Sequence, residues 1–76
     1  MREYEICVDG KTYMVYESYF YGHRTLRIHL WATELEVFLS IPHHEYDQMT
    51  TEELYSAIDK EYTEQVAEAW EALNAT

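Results

Sequence analysis

Glu61, Glu64, Glu68 and Glu71 recur at spacings of three and four residues, which sets four carboxylates along one side of any helix that contains them. At about 1.5 Å of rise per residue they step along the axis by roughly 4.5, 6 and 4.5 Å. One strand of duplex DNA carries a phosphate about every 3.4 Å, so the row is coarser than a nucleic-acid backbone. Glu45, Asp47 and Glu53 lie upstream and could fill in a second row. The chemistry open to such a surface is electrostatic competition for the basic groove of a nucleic-acid-binding protein. Like charges at i,i+4 oppose helix formation by about 0.2–0.5 kcal/mol a pair, and Lys60 is the only base in residues 42–76 to offset them. A face that needs only to be solvated usually mixes in more lysine and arginine. Plain solvation is nevertheless the competing account of the same row.

Other residue types offer less. His43, His44, Glu45 and Asp47, with His23 and His29 upstream, are zinc-ligand types, but they lack His-x₃-His or Cys-x₂-Cys spacing. Adjacent histidines on a regular element point apart, so exposed histidines are expected and no metal or other cofactor. Cys7 falls on a strand pattern beside Glu5, with no helix N-terminus or local base to make it a thiolate. Carboxylates are plentiful, yet nothing marks a pocket that would drive their pKa values apart. Both glycines read as turn glycines, so there is no phosphate-binding loop. The chain is expected not to be an enzyme.

Aromatic residues are the second candidate surface. Tyr13, Tyr16, Tyr19, Phe20 and Tyr21 crowd one region, and tyrosine gives a recognition surface rigid area plus a hydroxyl. Tyrosine also suits the strands of a half-buried sheet. Tyr13 reads as core, and Tyr19 and Tyr21 as partner anchors near a turn at Gly22.

The elements that must hold these groups follow from pattern. Tyr4, Ile6 and Val8 alternate with Glu3, Glu5 and Cys7, and Asp9-Gly10 is a strong two-residue hairpin signal. A type I′ turn there pairs Val8 with Lys11, Ile6 with Tyr13 and Tyr4 with Val15. Residues 25–31 alternate again, with Leu26, Ile28 and Leu30 opposite Thr25, Arg27, His29 and Trp31. Residues 34–41 repeat the pattern, with Leu35, Val37, Leu39 and Ile41 on one side. Thr33 and Glu36 also match a capping box, so a short helix competes with a strand there. Pro42 ends the element, and residues 42–49 read as a polar connection. Thr50 or Thr51 starts a helix that runs to about Ala75, with Glu53 completing a capping box to Thr50. Ile58, Tyr62, Val66, Ala69 and Leu73 share its apolar face, extended by Leu54 and Tyr55, and the acidic row falls roughly opposite.

The expected fold is α+β. It has an antiparallel sheet of about four strands in two hairpins over residues 1–41, and one long acidic helix over residues 50–75 packed on one face. A single helix covers one side of a sheet, which leaves Met14, Tyr16, Trp31 and Phe38 on the other as a candidate self-association surface. Glu3, Glu5, Arg27, Glu34 and Glu36 share that side and work against a continuous patch.

Composition bounds the rest. Seventy-six residues make one small domain, and 47% apolar with 16% aromatic content is too much for a disordered tail. Of fifteen acids, nine lie in residues 42–76, so nearly all of the net charge of −10 sits in the second half. Such a chain is not expected to bind DNA, RNA or an anionic membrane directly, because each of those wants lysine and arginine. One cysteine, no signal-peptide pattern and no apolar run of membrane length point to a reducing, cytoplasmic setting.

By size and charge alone, with no shared motif, the chain is similar to the small acidic inhibitors that phages and mobile elements make against nucleic-acid enzymes. The expectation is therefore an acidic protein–protein binding module that occupies the basic surface of a nucleic-acid-binding protein. A homodimer built on the Met14/Tyr16/Trp31/Phe38 face is the alternative, and a metal- or small-ligand-binding domain at His43, His44 and Glu45 is the weaker one.

Overall fold

A computed structural model describes residues 2–74. Four strands, β1 (Arg2–Val8), β2 (Lys11–Phe20), β3 (His23–Leu30) and β4 (Glu36–Pro42), form one antiparallel meander in the order β1-β2-β3-β4. Two helices follow, a short α1 (His43–Gln48) and a long α2 (Thr51–Asn74).

Local chemistry accounts for the turns. Asp9 and Gly10 both hold positive φ (49° and 77°), the left-handed geometry of a type I′ hairpin, and the register pairs Val8 with Lys11, Ile6 with Tyr13 and Tyr4 with Val15. Tyr21 and Gly22 repeat that geometry (φ 46° and 78°) between Phe20 and His23. The third connection is longer, with Ala32 at φ 70° and the Thr33 hydroxyl donating to the Leu30 carbonyl at 2.7 Å. Trp31 consequently sits in this turn rather than on β3, and Leu35 lies ahead of β4 instead of within it. At the Thr33–Glu36 ambiguity the strand wins, because Val37 and Ile41 must point at the core with period two.

The core lies between the sheet and α2. Ile6, Tyr13, Val15, Leu26, Ile28, Val37 and Ile41 from the sheet close over Ile58 and Tyr62 from the helix. The helix opens on a reciprocal capping box: the Glu53 amide donates to the Thr50 hydroxyl oxygen, and the Thr50 amide to the Glu53 carboxylate, both at 3.1 Å.

Residues 42–49, expected as a polar connection, contain α1. Six polar residues carry no usable periodicity, so the helix is set by tertiary contacts. The His43 amide donates to the Gly22 carbonyl (2.8 Å), and the Tyr46 hydroxyl donates to Glu17 (2.8 Å).

Length mismatch determines the shape. An eight-residue strand such as β3 spans about 26 Å at 3.3 Å per residue, whereas the 24 residues of α2 span about 36 Å. The helix therefore overruns the sheet. Positions 67–74 are all exposed, which corrects the expectation that Ala69 and Leu73 join the core face. Ala75, the expected last residue of the helix, lies outside the described residues.

Candidate functional site

Packing places the acidic row on the flank of α2 that faces the β4 edge. Glu61 is half-buried there rather than lying opposite the core, because Gln65 links it to the sheet. The Gln65 amide donates to the Glu61 carboxylate (2.6 Å) and to the Phe38 carbonyl (2.8 Å). Glu64, Glu68 and Glu71 are exposed, and only Glu64 has a base near it, Lys60 at 4.0 Å.

The other four of the five bases are occupied elsewhere. Lys11 pairs with Asp59 at 2.6 Å. Arg2 lies over the Tyr4 ring (4.8 Å), and Arg24 lies over both Tyr19 (5.7 Å) and Tyr46 (5.0 Å). Arg27 lies over Tyr16 at 4.5 Å with Glu36 at 3.9 Å. These pairings leave Glu68 and Glu71 without a basic partner among the described residues.

The remaining sequence candidates fall at the other end of the molecule. Tyr19 and Tyr21 flank the Gly22 turn, six residues or about 20 Å along β2 from Tyr13 for Tyr19. Tyr19 packs edge-on against His43 (5.2 Å), while Tyr21 is 85% exposed. Glu45 and Asp47 are on α1 at that same end, and Asp47 lies 3.2 Å from His43. Glu53 is spent on the capping box. The structure thus brings Glu64, Glu68 and Glu71 together as one group and Tyr19, Tyr21, Glu45 and Asp47 as another. The first group lies on α2 beyond Asp59, which pairs with Lys11 at one end of β2, and the second lies at the Gly22 end of that strand.

A tyrosine held at φ 46° is costly, since left-handed geometry crowds any Cβ by about 1–2 kcal/mol. Tyr21→Asn is expected to stabilise the fold by about 0.5–1 kcal/mol, read by urea unfolding, because asparagine tolerates that conformation. A loss of stability would mean that the Tyr21 ring packs against Phe20 (4.3 Å) strongly enough to outweigh the strain.

On the outer sheet face, register interleaves charge with the apolar groups. Tyr16 sits beside Arg27, which sits beside Phe38, and Met14 sits beside His29, which sits beside Glu36. Trp31 is 67% exposed at the β3–β4 turn and Phe38 is 59% exposed on β4. Among the described residues no three His, Cys, Asp or Glu side chains converge as metal ligands; His43 and His44 diverge on α1.

Two features escaped the sequence reading. Glu17 is 1% exposed and accepts hydrogen bonds from the Tyr4 and Tyr46 hydroxyls, tying β1, β2 and α1 together. The period-two pattern of Tyr13 and Val15, continued by two residues, points Glu17 inward and was the available signal. The second is Asp59, which accepts from the Tyr13 hydroxyl as well as pairing with Lys11. Burial pushes its carboxyl up, but the Lys11 ammonium and the Tyr13 hydroxyl outweigh this and hold it below the ordinary carboxylate range.

The same contacts keep three phenols protonated. Desolvation, then hydrogen bonding to a carboxylate, raises Tyr4, Tyr13 and Tyr46 above the ordinary tyrosine value. A folded-state pKa raised above the unfolded one gives stability that is present below about pH 10 and lost as pH rises further. In an alkaline titration these three of the eight tyrosines are expected to ionise together with the loss of circular dichroism. Ionisation of all eight before unfolding would contradict the hydrogen-bond pattern.

No family model, curated protein or solved structure matches the chain.

Proposed function

We propose that this chain is an acidic protein–protein binding module that inhibits a nucleic-acid-binding protein by occupying its basic surface. The observation that carries the reading is the division of charge. Four of the five bases are drawn into stacking and ion pairs on the sheet and with Asp59 of α2, while Glu64, Glu68 and Glu71 are held outward on a helix flank with only Lys60 near them. A fixed row of one sign concentrates field where a partner's lysines and arginines would approach, and it repels nucleic acid itself. By the same analogy of size and charge, the setting that would use such a module is phage or mobile-element anti-defence in the cytoplasm.

The test is a tagged pull-down from the native host's lysate at low salt, eluted first with duplex DNA and then with high salt. A nuclease, polymerase, repressor or defence complex released by the DNA is the expected result. Partners that ignore both DNA and salt would sink the reading.

A further inference from the structure

The overrun of α2 leaves an apolar notch under the helix, of about 360 Å³, at the Lys11 end of the sheet. Tyr13, Leu30 and Lys11, whose ammonium is paired with Asp59, form its floor, and Val66, Ala67 and Trp70 its helical wall. Trp70 is 67% exposed and Leu73, one turn further on, is 71% exposed. Val66, Ala69, Trp70 and Leu73 keep the i, i+3, i+4, i+7 spacing of a helix face that packs against something, yet only Val66 reaches the core and Ala69, Trp70 and Leu73 are exposed.

Charge selects what covers this face. Glu64, Glu68 and Glu71 stand on the same two turns of helix, and Glu34 lies in the nearby β3–β4 connection. A second copy would bring its own acids against these, and each copy carries a net charge of −10. An apolar segment with lysine or arginine along one flank meets both the notch and the two acids that border it beside Ala67, Glu64 and Glu71.

We infer that the notch beneath the projecting end of α2 receives a basic amphipathic helix of the partner. Its apolar side chains seat against Val66, Ala67 and Trp70, and its basic ones meet Glu64 and Glu71, which lie beside Ala67 on the helix, whereas Glu68 stands on the far side. The inference rests on the reading above and deepens it by moving the anchor from Tyr19 and Tyr21 to the opposite end of the molecule.

The test needs no identified partner. In a Trp31→Phe chain, Trp70 is the only tryptophan, so its emission reports the notch alone. The probe is a synthetic amphipathic helix of leucine and lysine, with its leucine–glutamate counterpart as control. The lysine peptide is expected to shift Trp70 emission to shorter wavelength, and the glutamate peptide to leave it unchanged. Ala67→Glu adds an acid on an exposed helix position, so attraction by charge alone would tighten binding, whereas a polar group in the apolar wall is expected to weaken it about tenfold or more. Binding with no change in Trp70 emission, or tighter binding by Ala67→Glu, overturns the inference. So does an emission shift that grows with protein concentration in the absence of peptide, which would seat a second copy in the notch. This readout is made on the chain and peptide only. A pull-down insensitive to DNA and salt would remove the functional reading without altering it.

Discussion

A chain carrying both Tyr4→Phe and Tyr46→Phe is expected to lose about 2–6 kcal/mol of unfolding free energy, the cost of leaving two buried carboxyl oxygens without donors at about 1–3 kcal/mol each. Glu17 is the most deeply buried acid of the described residues, at 1% exposure, and these two hydroxyls are the hydrogen-bond donors to its carboxylate. A domain of this size is stabilised by roughly 4–11 kcal/mol at 0.05–0.15 kcal/mol per residue, so the loss is a large fraction of the whole. Removing the acid as well reverses the sign of the argument. The triple variant with Glu17→Leu has neither a stranded carboxyl nor a stranded hydroxyl, and it is expected to recover most of the stability. Urea unfolding of the parent, double and triple variants reads all three numbers. A double variant within about 0.5 kcal/mol of the parent would mean that Glu17 is not held by these phenols, since surface-type changes fall in that range.

Glu64→Lys together with Glu68→Lys is expected to weaken partner binding by about a hundredfold or more, close charge pairs across interfaces coupling by about 1.5–7 kcal/mol. Both residues are exposed and touch no core group, so circular dichroism and urea midpoint should be nearly unchanged. Each reversal moves the charge by two, taking the net charge of the chain from −10 to −6. Glu3→Lys with Glu5→Lys produces the same net charge from the exposed β1 edge, far from the helix flank. That control is expected to lose little. Equal losses from the two pairs would mean that only total charge matters and that the helical row has no positional role.

The sheet was legible because its signals are local. Asp9-Gly10 fixes a turn, period two fixes the faces, and together they fix the register of β1 on β2 residue by residue. The start of α2 was legible for the same reason, since Thr50 and Glu53 satisfy each other's backbone within one turn. What the sequence hid depends on where elements stop. Helical periodicity places Leu73 on the same face as Ile58, but only the length of the sheet decides that one is buried and the other is not. Helix α1 was hidden because its stability comes from Glu17 and Gly22, which are distant in the chain. The acids of the candidate site were readable by type and spacing. Their separation from Tyr19, Tyr21, Glu45 and Asp47 was not, because it follows from the path of α2 across the sheet toward the Lys11 end.

Competition at equilibrium tests the central claim most directly. The partner recovered in the pull-down is held at a fixed concentration with labelled duplex DNA, and this chain is titrated in at low and at moderate salt. Occupation of a basic surface predicts that DNA and this chain exclude each other, with an apparent affinity for the chain that falls steeply as salt rises. A ternary complex of partner, DNA and this chain, or displacement that is indifferent to salt, would contradict it.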